Sequence, residues 1–310
     1  MKSALFPRCW KAVIGVMFLV CCFCLAEEPK KPGATKVPRK PPFTVMRDVV
    51  YDAQKNLTYD LYLPTVKVPK DTPVNAILFI HGGAWQEGNK KEMTPHCWFS
   101  SSQGFVAATL DYKLFKEGEP PVTFFTMLDD IGNCLEHLKK MSAEQHYPIK
   151  SVALSGISAG GHLAMLYAYS RAKKSPIPIA MVFQDVGPTF FSKGSMPKAA
   201  QWEHILAQRG SGTEINQEEY YSGKVSETVK SISPAFLVND DTVPTLGAYG
   251  GKDPLVTAIH VEKLRDALEA HKIPHALIVF PNSDHSLGQD PEYRKQYYAK
   301  LMEFFQKYMK

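Results

Sequence analysis

Val152-Ala153-Leu154-Ser155-Gly156-Ile157-Ser158-Ala159-Gly160-Gly161 decides how the chain is read. A short apolar run suited to a buried strand breaks into Gly-X-Ser-X-Gly and then into the helix-forming stretch His162-Leu163-Ala164-Met165-Leu166. Small residues around Ser158 permit a turn sharp enough to push its hydroxyl out of a sheet. The helix behind it would aim its N-terminal dipole and free N–H groups at an oxyanion formed there.

Outward from this stretch the pattern alternates strand and helix. Ala76–Ile80 is apolar at every position, as in a strand buried on both faces of a parallel sheet. Gly104 to Asp111, Ile179–Phe183, Pro244–Tyr249 and Ala276–Phe280 read as further strands. Leu57, Tyr59, Leu61 and Leu63 alternate with polar neighbours, which predicts a half-exposed strand near a sheet edge. Helical spacing recurs at Met127, Ile131, Cys134, Leu135, Leu138 and Met141, at Val261, Leu264 and Leu268, and at Tyr293, Tyr297, Leu301, Phe304 and Tyr308. The expected fold is one doubly wound, mostly parallel α/β domain over 43–310 with helices on both faces. The rhythm breaks from Gly187 to Ser233, rich in Pro, Gly and aromatic residues with short helical patches, as a cap-like insertion over a site would be.

Ahead of the domain, Lys2, Arg8 and Lys11 precede the nearly uncharged run Ala12–Ala26, and Glu27-Glu28 follow. A positive start, a short apolar core and a small residue at Ala26 predict a secretory signal over 1–26, too short to stay as a membrane span, and hence a secreted or periplasmic protein. Residues 27–42, with five prolines and five basic residues, read as a solvated linker. Residues 1–42 carry eight Lys/Arg and two Glu, a net of +6, so the whole-chain +5 leaves 43–310 at −1, which argues against nucleic acid as a partner. Four of six cysteines fall in the signal; Cys97 and Cys134 are expected as buried thiols on opposite faces of the sheet. No ligand spacing points to a metal, and no phosphate loop or other cofactor motif is present.

A serine nucleophile needs a base, and the base needs an orienting acid, both carried on loops beyond strand ends. Asp253 follows the strand ending at Tyr249 and His285 the strand ending at Phe280, giving the chain order Ser158, Asp253, His285. His81-Gly82-Gly83-Ala84-Trp85 follows Ile80, and the N–H groups of Gly82, Gly83 and Ala159 are the candidate oxyanion donors. Trp85 either lines an acyl pocket or packs beneath the loop. Asp284 is too close to His285 in sequence to face it, and Asp240 and Asp241 precede their strand. His81 and His162 are expected to make structural hydrogen bonds, and His137, His260 and His271 to lie on exposed helix faces.

These stretches, with Leu61-Tyr62-Leu63-Pro64, Gly88, Lys90 and Asp111-Tyr112-Lys113-Leu114, resemble the α/β-hydrolase esterases and lipases related to hormone-sensitive lipase. Within that group the chain is most similar to carboxylesterases that include bacterial feruloyl and acetylxylan esterases. The resemblance implies Ser158 as nucleophile, His285 as base, Asp253 as orienter, and a small-molecule or carbohydrate ester as substrate. Two rivals remain: a serine exopeptidase of the prolyl-oligopeptidase type, and a hydrolase fold kept for binding alone.

Overall fold

The computed structural model describes residues 44–66, 68–116, 121–197, 200 and 202–310. The expected signal (1–26) and linker (27–42) lie outside them. Eight strands form a single sheet: β1 Val45–Asp52, β2 Leu57–Tyr62, β3 Val74–Ile80, β4 Val106–Leu110, β5 Ile149–Ile157, β6 Ile179–Asp185, β7 Thr245–Gly250 and β8 His275–Phe280. Their order is β1-β2-β4-β3-β5-β6-β7-β8, antiparallel at β1/β2 and β2/β4 and parallel elsewhere. The helices are α1 Thr94–Ser102, α2 Phe124–Glu144, α3 Ala159–Arg171, α4 Glu203–Ser211, α5 Gln217–Tyr221, α6 Glu227–Ser231, α7 Pro234–Leu237, α8 Ala258–Ala270 and α9 Pro291–Tyr308.

Two cores follow from the pleat, because alternate side chains of one strand point to opposite faces. Ala76, Leu78 and Ile80 of β3 pack with α2, α3 and α8, whereas Ile77 and Phe79 pack with α1 and α9. Cys134 belongs to the first core and Cys97 to the second; both are buried free thiols. Residues 187–233 add Phe191, Leu206, Ile215, Tyr220, Val229 and Ile232 to the first core. The end of α4 lies so close to α2 that a Cβ on Gly210 would overlap the Phe124 ring.

Two expectations are corrected. β1 takes the edge, and β2 is buried at every position except the half-buried Thr58, because Tyr59 and Leu61 enter the first core on one face and Tyr62 enters the second on the other. Its polar Asp60 is accommodated inside by Arg47 Nη1 at 2.9 Å and the Asp48 N–H at 2.9 Å. His260 is buried rather than exposed: residues 189–195 close over α8, so the Thr189 N–H donates to Nδ1 at 3.1 Å and Nε2–H donates to the Ser195 carbonyl at 2.8 Å. His137 is half-buried, with Nδ1 3.1 Å from the Tyr59 hydroxyl.

Candidate active site

Parallel register brings the separated motifs together. Ile80 pairs with Gly156, Ile157 with Asp185, and Gly250 with Phe280, so the loops leaving β3, β5, β7 and β8 emerge at one end of the sheet. At the end of β5 the chain reverses through Ser158 at φ 55°, ψ −119°, a conformation costly for a residue with a side chain. It is held by Ser158 N–H donating to the Asp185 carbonyl at 2.8 Å and by the His162 N–H donating to the Ser158 carbonyl at 3.0 Å. The first turn of α3 crosses β3 closely: a Cβ on Gly160 would lie 2.1 Å from the Ile80 carbonyl oxygen.

His285 Nε2 lies 2.9 Å from Ser158 Oγ, and His285 Nδ1 lies 2.6 Å from Asp253 Oδ2. A carboxylate can only accept, so the proton resides on Nδ1 and Nε2 is left to receive the serine's. The other oxygen, Asp253 Oδ1, accepts from the N–H groups of Leu255 at 2.8 Å and Val256 at 3.0 Å, which fixes the carboxylate plane. The Asp253 side chain is fully buried and that of His285 nearly so, and this shields their contact from water. Asp284 turns away to Ser286, whose N–H and hydroxyl hold its carboxyl below the usual range. Asp240 and Asp241 pair with His271 and Lys173.

Beside Ser158, a Cβ on Gly82 would lie 3.5 Å from the serine Cβ, so the glycine backbone abuts the elbow. Among the described residues the N–H groups of Gly82 and Gly83 have no backbone partner. Gly83 adopts φ +102°, and a Cβ there would lie 2.0 Å from the Glu87 carbonyl oxygen. Of the two roles open to Trp85, the structure shows packing: the ring is 3% exposed, against Phe124, His162 and Phe191. His162 donates from Nε2 to the Ile232 carbonyl at 2.9 Å, and burial pushes its pKa down to about 4. His81 donates from Nδ1 to the Gly82 carbonyl at 2.7 Å.

Sequence reasoning missed the ion pair Arg294–Asp185, at 3.0 Å, which ties α9 to the strand end beneath Ser158. It also missed Asp290, whose carboxylate gathers Asn282 and Ser283 into the loop bearing His285. Arg294 stands on the polar side of a helical pattern, where sequence shows only a solvated cation. Among the described residues no group of three or more His, Cys, Asp or Glu is arranged to hold a metal ion.

A mostly parallel sheet with Ser158, Asp253 and His285 joined across three strand ends defines an α/β-hydrolase. Residues 59–268 match the BD-FAE family, and the chain belongs to that family of α/β-hydrolase esterases. A truncated carbohydrate esterase from gut microbiota superposes with a TM-score of 0.67 at 19% identity, over 88% of this chain and 99% of that one. Esterase Est2 of Thermogutta terrifontis gives 0.64 at 22%, over 86% and 92%. Among curated relatives, probable carboxylesterase 7 of Arabidopsis thaliana is 26% identical over 48% of this chain and 50% of its own length. Dipeptidyl aminopeptidase BIII of Pseudoxanthomonas mexicana is 23% identical over 88% of this chain and 39% of its own. The chain spans about a quarter to a half of the length of the curated relatives it matches.

Proposed function

We propose that the protein is an exported serine carboxylesterase that cleaves a carboxylic ester through an acyl-enzyme on Ser158. The observation carrying this reading is the unbroken relay from Ser158 Oγ through His285 to Asp253, with contacts of 2.9 and 2.6 Å. Ser158 Oγ attacks the carbonyl carbon as His285 Nε2 takes its proton, and Asp253 stabilises the imidazolium. The carbonyl oxygen, now anionic, is received by the N–H groups of Gly82, Gly83 and Ala159. Collapse expels the alcohol, which leaves with the proton from Nε2. Water, deprotonated by the same nitrogen, then attacks the acyl carbon and releases the acid and free Ser158.

The net charge of −1 over residues 43–310 suits an uncharged ester, and the resemblance to feruloyl and acetylxylan esterases, with the likeness to a carbohydrate esterase, supports short-chain, aryl or acylated-carbohydrate esters. The apolar run at 12–26 supports export, and residues 187–233 would form a cap beside the site. Ser158→Ala should fold and fail to turn over 4-nitrophenyl acetate or butyrate; full activity in that variant would end the assignment. A panel of acetylated sugars, feruloyl esters and nitrophenyl esters of graded chain length would name the substrate. The match to an aminopeptidase along most of this chain keeps a peptidase reading alive. An aminoacyl-proline amide hydrolysed faster than every ester would favour it.

A further inference from the structure

The motif Asp111-Tyr112-Lys113-Leu114 has no part in the relay, yet residues 111–115 grip the neighbouring loop 81–90 at three points. Tyr112 donates from its hydroxyl to the His81 carbonyl at 3.0 Å, the Phe115 N–H donates to the Trp85 carbonyl at 2.8 Å, and Asp111 Oδ1 accepts the Lys90 N–H at 2.8 Å. Asp111 Oδ2 takes the Lys90 ammonium at 3.0 Å as well, and that ammonium also donates to Asp48 and Thr58 at 2.7 and 2.6 Å. The grip is needed because Ala84 and Trp85 stand at φ 49° and 60°, a region disfavoured for residues with side chains. Without external ties, such a loop would relax.

The first tie falls on a telling atom. A peptide unit is planar and trans, so its C=O and N–H point in opposite directions, and fixing one aims the other. The His81 carbonyl shares its plane with the Gly82 N–H, and the Gly82 carbonyl shares its plane with the Gly83 N–H. Tyr112 O–H holds the first carbonyl, and His81 Nδ1–H holds the second at 2.7 Å. The two rings that supply these donors are stacked, 4.4 Å between centroids and 16° between planes. Each carbonyl that accepts a hydrogen bond also makes the N–H of its own unit a stronger donor.

We propose that the stacked Tyr112–His81 pair is the positioning element of the oxyanion hole: it aims and polarises the Gly82 and Gly83 N–H groups without touching substrate. The inference rests on the reading in which those groups receive the oxyanion. Tyr112→Phe keeps the stacked ring and removes one oxygen, so the fold survives and one peptide plane is released.

The measurement compares 4-nitrophenyl butyrate with its thiono analogue, in which C=S replaces C=O. Sulfur is larger and a weaker acceptor, so the hole contributes little to attack on the thionoester. Tyr112→Phe should lower kcat on the oxoester about tenfold with KM within about twofold, and shift thionoester kcat by less than about twofold. Equal losses on both esters, or no loss on either, overturn the role of Tyr112 while the serine mechanism stands. Activity that survives in Ser158→Ala removes the mechanism and this inference together.

Discussion

Two loops flank Ser158, and they are stiffened in opposite ways. Residues 81–90 carry left-handed backbone at Gly83, Ala84, Trp85 and Gly88 and are braced by residues 111–115 of another strand's end. Residues 281–290 are braced largely from within. There the Asp290 carboxylate accepts from the Asn282 N–H at 2.9 Å, the Asn282 side-chain amide at 3.0 Å and the Ser283 hydroxyl at 2.7 Å. Its outer ties include the Lys252 N–H on the Ser283 carbonyl at 2.9 Å, His285 Nδ1–H on Asp253 at 2.6 Å and Arg294 on the Leu287 carbonyl at 3.4 Å. The backbone that presents N–H groups turns on itself at Gly83, whose carbonyl accepts from the Gln86 and Glu87 N–H groups at 2.9 and 3.0 Å, and takes the rest of its bracing from residues 111–115. A loop that presents one side chain can spend its backbone on its own turns.

That contrast can be broken or sharpened. The largest effect is expected at the contact that aims the imidazole: Asp253→Asn should lower kcat about 10⁴-fold by favouring the wrong tautomer, with the melting temperature nearly unchanged. In the externally braced loop, Gly83→Ala meets both a positive φ and the Glu87 carbonyl, and should cost about 100-fold in kcat as the loop shifts. Asp290→Ala undoes the internal brace and should lower kcat about tenfold together with the melting temperature. If Asp290→Ala left His285 working at full rate, self-bracing would be the wrong account of that loop.

Acid should act more gradually. Burial holds His162 and His260 at about 4, below the ordinary 6.5, so the unfolded chain binds more protons than the folded one between those values. Their contribution is therefore complete above about pH 6.5 and lost as pH falls towards 4, up to about 3 kcal/mol for each imidazole. Urea midpoints measured across that range should fall with pH, and less steeply in His260→Gln. The smallest effect belongs to Asp284→Asn, which should leave kcat within about twofold because its carboxyl bonds to Ser286 and stands outside the Ser158–His285–Asp253 relay.

The elbow, the chain order of the three relay residues and most strands were legible because each rests on local chemistry. A Gly-X-Ser-X-Gly turn between an apolar run and a helix former is a statement about neighbours in sequence. What was misread depended on neighbours in space. Alternation in Leu57–Leu63 implied one wet face, but Tyr62 packs into the second core and Asp60 is buried in ion pairs with Arg47 and Lys90. His260 looked exposed from its own helix because the face it occupies is covered by residues 189–195, whose path no periodicity reveals. Trp85 could be assigned to pocket or packing only once Phe124, His162 and Phe191 were seen around it.

The amino-acid sequence by itself determined the class of fold and the candidate nucleophile, base and acid, since strand period, glycine pattern and order along the chain are properties of one dimension. Only the tertiary structure decided how those groups are held. The strand order β4-β3-β5 sets Tyr112 beside His81 and Gly82 beside Ser158, and parallel register carries Asp253 and His285 to the same end of the sheet. Hydrogen-bond geometry of a few tenths of an ångström then fixes the tautomer of His285 and the tilt of two peptide planes. Such precision comes from packing among residues far apart in the chain, and no spacing of letters encodes it.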